Sequence, residues 1–275
     1  MFLRLGDDRV HNVRNQTEPI PGSLLRGPVT LALFLAIFVG LSVGLLGAGG
    51  SLLAVPILKY AAHLSTQQAV ATSLVTVGSV SALGVVFAAK DGRVHFRLGL
   101  AFASMTIVGT WVGVQIAALL QETVQLSLFV LILLFAIYRM LKKRLRPEEQ
   151  ESQQSSHRGI AALKALVVGI LTGLVGVGGG FLIVPALVTL FGLPMKQATG
   201  TSLVVIVFSS CMGVLGYSSV VTFDWLFSLK FCAMAALGLM LGFQLSKRMS
   251  GQRLSDVFVA VLIGVCTFIL SQELF

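Results

Sequence analysis

Apolar residues in this chain come in long unbroken runs rather than in the stripes of a soluble amphipathic helix. Eight runs fall at about 28–47, 66–89, 98–120, 122–141, 159–177, 195–219, 225–246 and 254–272. Each is close to the ~20 residues a helix needs to cross a hydrocarbon core. Two shorter apolar pieces, about 51–62 and 180–191, follow glycine clusters, and each contains a proline. They are too short to cross, so they read as half-helices or re-entrant segments. The polar stretches are few: a polar N-terminal segment at 1–27, and the linker KKRLRPEEQESQQSSHR at 142–158.

The pattern repeats. With an offset of 129, GLLGAGGSLLAVPIL (44–58) aligns with GLVGVGGGFLIVPAL (173–187), and QAVATSLV (68–75) with QATGTSLV (197–204). No gap is needed from Val39/Val168 to Gln115/Gln244, and about a third of the pairs are identical. The matches include Gly47/Gly176, Gly49/Gly178, Gly50/Gly179, Pro56/Pro185, Gly109/Gly238 and Gly113/Gly242, which chance alignment of apolar helices does not supply. The expected fold is an all-α integral membrane protein of about eight transmembrane helices plus two short half-helix or re-entrant segments. It is built from two tandem duplicated halves, a first transmembrane repeat at 28–141 and a second at 159–275. In such a plan the interrupted segments at corresponding positions point to the substrate site near the midplane, and one half rocks against the other.

Composition agrees and removes alternatives. The chain has 275 residues, 56% hydrophobic and only 11% charged, about half the charged share of a soluble domain. Its formal charge of +9 sits at the edges of apolar runs and not on a basic stripe, so it marks topology rather than nucleic-acid binding. If the short segments do not cross, fifteen Lys and Arg collect at inside ends, and Lys59, Lys196, Lys247, Arg248 and Arg253 remain outside. That split predicts cytoplasmic termini, with Lys247–Arg253 on the wrong side. If the short segments do cross, the halves are inverted. Residues 1–27 have no continuous apolar core, which argues against a cleavable signal peptide. Cys211, Cys232 and Cys266 lie in apolar segments, as inert small hydrophobes do.

The matched motifs carry the candidate chemistry. Gly47, Gly49, Gly50 and Ser51, and again Gly176, Gly178, Gly179 and Gly180, open short helices that carry the structural hinges Pro56 and Pro185. Glycine lets a ligand approach the main chain, and a helix start aims free N–H groups at an anion. The competing reading is helix packing through small residues. Thr72 and Ser73, with Thr201 and Ser202, offer neutral donors to an oxyanion, or satisfy themselves on their own backbone. Gln68 and Gln197 sit one turn earlier. No carboxylate lies mid-membrane, which disfavours a cation carrier. His11, His63, His95 and His157 show no ligand spacing, so no metal and no cofactor is expected. His95 and its partner in the repeat, Asp224, read as solvated interfacial residues, and Arg97, Lys164 and Lys230 as cations that snorkel to the interface. No base lies near the Ser/Thr pairs, so a membrane hydrolase is disfavoured and no catalytic residue is expected.

The glycine turn followed by proline, repeated with its T-S-L element, resembles the TauE/SafE family of sulfite exporters and related anion permeases over about 28–272. That resemblance implies a carrier of the bacterial-type cytoplasmic membrane, acting on sulfite, sulfonates, thiosulfate or other small organic anions. It maps the family's glycine motif onto Gly47, Gly49, Gly50 and Pro56, and onto Gly176, Gly178, Gly179, Gly180 and Pro185. The expected function is a secondary transporter of a small anion, with sulfite or an organosulfonate favoured. Another organic anion such as a carboxylate, or a non-transporting scaffold, is the alternative. Its partners are the substrate anion and the bilayer; coupling ion and oligomeric state are not legible.

Overall fold

The computed structural model describes residues 26–47, 50–117, 122–145, 158–175, 180–217 and 224–274. Among these there are ten α-helices and no strands. They are α1 (Arg26–Leu46), α2 (Gly50–Pro56), α3 (Thr66–Lys90), α4 (Phe96–Ala117), α5 (Glu122–Leu145), α6 (Arg158–Val175), α7 (Gly180–Leu190), α8 (Met195–Tyr217), α9 (Trp225–Arg248) and α10 (Gly251–Leu274). All eight long helices match apolar runs within a few residues, because only a helix satisfies every backbone group inside one apolar segment. By length and composition α3, α4, α8 and α9 can each cross a membrane.

The two short pieces are helical. α2 reaches Pro56 and continues as a π-helical turn, Ile57–Ala61. Proline removes a backbone donor and crowds the preceding turn, and widening the helix accommodates it. α7 carries Pro185 inside it, and the Thr189 hydroxyl donates to the Pro185 carbonyl at 2.7 Å. Both pieces end in a left-handed residue at corresponding positions, His63 (φ 54°) and Gly192 (φ 69°).

Two helix pairs are packed backbone to backbone. α1 runs parallel to α9: a Cβ placed on Gly40 falls within 3.0 Å of Ala235 O and Leu239 N, and one on Gly44 meets Leu239 O and Phe243 N. From the other side Gly238 faces Ile37 O and Leu41 N. The second pair is α4 with α6, where Gly109 faces Leu166 O and Ile170 N, and Gly169 faces Thr106 O. These are the same contacts shifted by 129 residues. Small residues spaced by four allow this approach, and close packing takes over where burial in lipid gives no driving force. Between the pairs, α3 packs along α8.

One end of the bundle is defined by polar contacts. Asp91 Oδ1 accepts from Lys247 Nζ at 2.9 Å, Lys196 Nζ lies 3.5 Å from Lys247 O, and His95 pairs with Gln197 at 2.9 Å. Lys164 Nζ contacts Leu190 O at 3.4 Å, and Phe191 meets Phe102 in the second turn of α4. Thus α3, α7 and α9 end here, and α4, α6 and α8 begin here. This corrects the inside–outside division expected from sequence, which set Lys196 and Lys247 opposite Lys90 and Arg93. An ion pair of 2.9 Å cannot straddle a ~30 Å core. α1, parallel to α9, runs toward this end, whereas its counterpart α6 runs away from it. Corresponding segments therefore point in opposite directions.

Large apolar side chains such as Phe34, Phe38, Trp111, Leu131, Phe135 and Leu163 are exposed on the outside of the bundle. The buried polar residues, among those described, are all serine or threonine.

Candidate functional site

α1 stops at Leu46 because Gly47 turns left-handed (φ 72°), with its N–H on Val43 O at 2.8 Å. A side chain there is excluded twice, by backbone geometry and by Thr199 and the Ser202 hydroxyl, which a Cβ would strike. Gly50 then opens α2 against Val43. The turn rests on the first two turns of α8. Thr199 is the fifth residue of that helix, so the turn lies only ~6 Å along it from its start. A cavity of about 10 Å³, room for one water, remains between Gly47, Thr199, Gly200, Arg93, Phe243 and Ser246.

The sequence-derived residues divide. Gly47 lies against Ser202, whereas Gly50 packs on Val43 and Val39 of its own neighbouring helix. Gly49, Gly176, Gly178 and Gly179 lie outside the described residues, as does the side chain of Ser51, whose backbone belongs to α2. Gly180 opens α7 and is buried.

The hydroxyl pairs behave differently from the cage anticipated for them. Ser73 donates to Val70 O and Ser202 to Thr199 O, both at 2.8 Å. A proton spent one turn back is not offered to an anion. Thr201, fully buried, accepts the His95 backbone N–H at 3.1 Å and so pins the α3–α4 loop to α8. Thr72 is buried, and its carbonyl receives the Thr76 hydroxyl. Gln68 closes a capping box with Ser65 at the start of α3, a structural task. Gln197 holds the His95 ring, so His95 is a tertiary tie and more than an interfacial residue. Asp224, its counterpart, caps α9 by accepting from Phe227 N at 3.0 Å.

The charged members of the site are ones that the apolar pattern did not single out. Arg93, whose side chain is 13% exposed, donates to Ser246 Oγ at 3.3 Å and lies 3.7 Å from Asp91. Its guanidinium sits 5.2 Å from the centre of the Phe243 ring, and Lys247 Nζ lies at the same distance. A signal was present: identity between the halves lapses across 86–99, and Arg93 has Thr222 as its counterpart. A divergent stretch inside a repeat is where the two halves do different things. No group of three potential metal-ligating side chains occurs among the described residues.

Proteins similar in sequence to this chain are described as membrane transporters. A probable membrane transporter protein of Xylella fastidiosa is 32% identical over 239 residues, 84% of this chain and 91% of its own length. The probable membrane transporter protein YunE of Bacillus subtilis is 26% identical over 266 residues, 88% of this chain and 97% of its own. Another from Methanocaldococcus jannaschii is 24% identical over 251 residues, 84% and 93%. The family model described as sulfite exporter TauE/SafE matches residues 32–269. The chain belongs to this TauE/SafE family of membrane transporters. No solved structure matches it.

Proposed function

We propose that the chain is a secondary transporter of a small oxyanion, sulfite or an organosulfonate in the first place. The observation that carries this reading is the pocket at Gly47. It joins a glycine turn, the Thr199–Gly200 backbone and a largely buried arginine in a bundle whose buried polar groups, among the described residues, are otherwise neutral hydroxyls. α2 is too short for a strong helix dipole, so the attraction comes from Arg93 and from close main-chain approach. Gly49, Ser51, Thr72 and Ser73 in the first half, with Gly176, Gly178, Gly179 and Gly180 in the second, complete the proposed path. A carboxylate asks for the same donors and is the alternative substrate class. Flux of labelled sulfite, methanesulfonate and acetate into liposomes carrying the purified protein tests it. Protein-dependent movement of the sulfur anions is expected; none for any anion overturns it.

The arrangement we propose is ten segments in two inverted halves. The contacts repeated at an offset of 129, and the opposite directions of α1 and α6, support it. Each half is then five segments, with α2 and α7 as the short ones. Fourteen of the 20 Lys and Arg fall at the Asp91 end and six toward the other. The positive-inside bias makes the Asp91 end cytoplasmic, and with it the 142–158 linker. Both termini then lie on the outer face, the reverse of the sequence expectation. Reporters fused at the linker and at the C-terminus are expected to read inside and outside respectively; two inside readings reject this topology.

Inverted halves with exchanged first helices also change what can move. Rocking one half against the other would tear both backbone-tight pairs. The moving bodies are instead α1 with α9 and α4 with α6, sliding along the α3–α8 seam.

A further inference from the structure

We propose that Asp91 is a built-in competitor of the transported anion, holding Arg93 as a gate over the Gly47 turn. This rests on the anion-transporter reading above. The pocket beside Gly47 has room for one water and is too small for a four-atom oxyanion. The surrounding backbones cannot yield: Gly44 and Gly47 leave no space against α9 and α8. What can yield is the lid of side chains, of which Arg93 is the central member, on the five-residue loop between α3 and α4. Its tie to Asp91 is loose, 3.7 Å, whereas Asp91 and Lys247 are in contact at 2.9 Å. Arg93 and Lys247 carry two positive charges against one carboxylate, leaving a single positive charge uncompensated at the pocket mouth. An incoming monoanion balances it by taking Arg93 from Asp91, while Asp91 stays with Lys247. The lid is weakly held, because a partly exposed pair of this kind contributes little.

The two charges therefore oppose each other in function although they are neighbours in structure. In liposome flux, R93Q is expected to raise the KM for sulfite at least about tenfold, the cost of a lost charge-assisted bond. D91N is expected to lower KM about two- to fivefold. If the cluster merely braces the loop, both variants impair transport alike, and that result overturns the gate. A second measurement does not need transport. In a chain with Cys211, Cys232 and Cys266 replaced by serine, T199C places a thiol in the pocket wall. Its alkylation by iodoacetate, a small anion, is expected to speed up severalfold when D91N is added. Equal rates reject the gate. A wild-type chain that moves no anion while D91N still speeds alkylation rejects the transporter reading and keeps the gate.

Discussion

The α1–α9 crossing and the α3–α8 seam lie side by side in the same bundle and are held together in opposite ways. At the crossing, glycines bring two backbones into contact, so Gly40 and Gly238 face carbonyls rather than side chains. At the seam the glycines face side chains instead: Gly78 meets Ser210 and Gly213 meets Leu74. α3 and α8 also carry buried hydroxyls, and the Ser81 oxygen has no hydrogen-bond partner among the described residues. A backbone contact has one geometry, and any slide destroys it. Side-chain contacts and an unpaired hydroxyl leave room for a second arrangement, since nothing fixes the first uniquely. The difference separates what is locked from what can shift, which mere inspection of helix lengths does not.

The largest effect should come from breaking the lock. Valine at Gly238 or Gly109 drives a branched side chain into a carbonyl, and a loss of about 3 kcal/mol is expected. Both variants should fail to yield a single peak on size exclusion, and the two should be alike, because the two crossings are equivalent. Next comes the seam. A disulfide between G78C and S210C should abolish flux, and a reductant should restore it; flux unaffected by the bond would place the movement elsewhere. A smaller change tests the unpaired hydroxyl. S81A removes a buried polar group with no partner among the described residues, so stability in detergent should rise by about 1 kcal/mol, read as a higher melting point. The smallest concerns the left-handed residue after the π turn. H63G removes strain worth ~1 kcal/mol and should stabilise slightly with no change in flux.

The helices were legible because lipid enforces long apolar segments, and even α2 and α7 showed as short pieces that each contain a proline. The direction of each helix was not legible. Hydropathy has no sign along the membrane normal, and the charge count balanced only until Lys247 was found on Asp91. Half of the candidate site could be read, the turn at Gly47 and its neighbour Ser202, since glycine clusters and hydroxyls are visible locally. The roles could not. Whether Ser202 serves an anion or its own helix depends on one rotamer, and here its proton goes to Thr199 O. Arg93 was counted as a topological charge, because its partners Ser246, Phe243 and Asp91 come from other helices or from its own loop. Gly109 and Gly238 were visible as a matched pair of glycines, but what they lock onto is a tertiary fact.

The exchange of first helices has a consequence for how the protein is made. α1 emerges from the ribosome well before its backbone-tight partner α9, which follows it after seven other described helices. Until then the grooves at Gly40 and Gly44 face lipid or a chaperone, and the first half has no complete fold of its own to wait in. Native contacts at such sequence separation are late and slow to form. A ribosome stalled after α5 should therefore display a first half that remains protease-sensitive, and the same half should become resistant once α9 has entered the membrane.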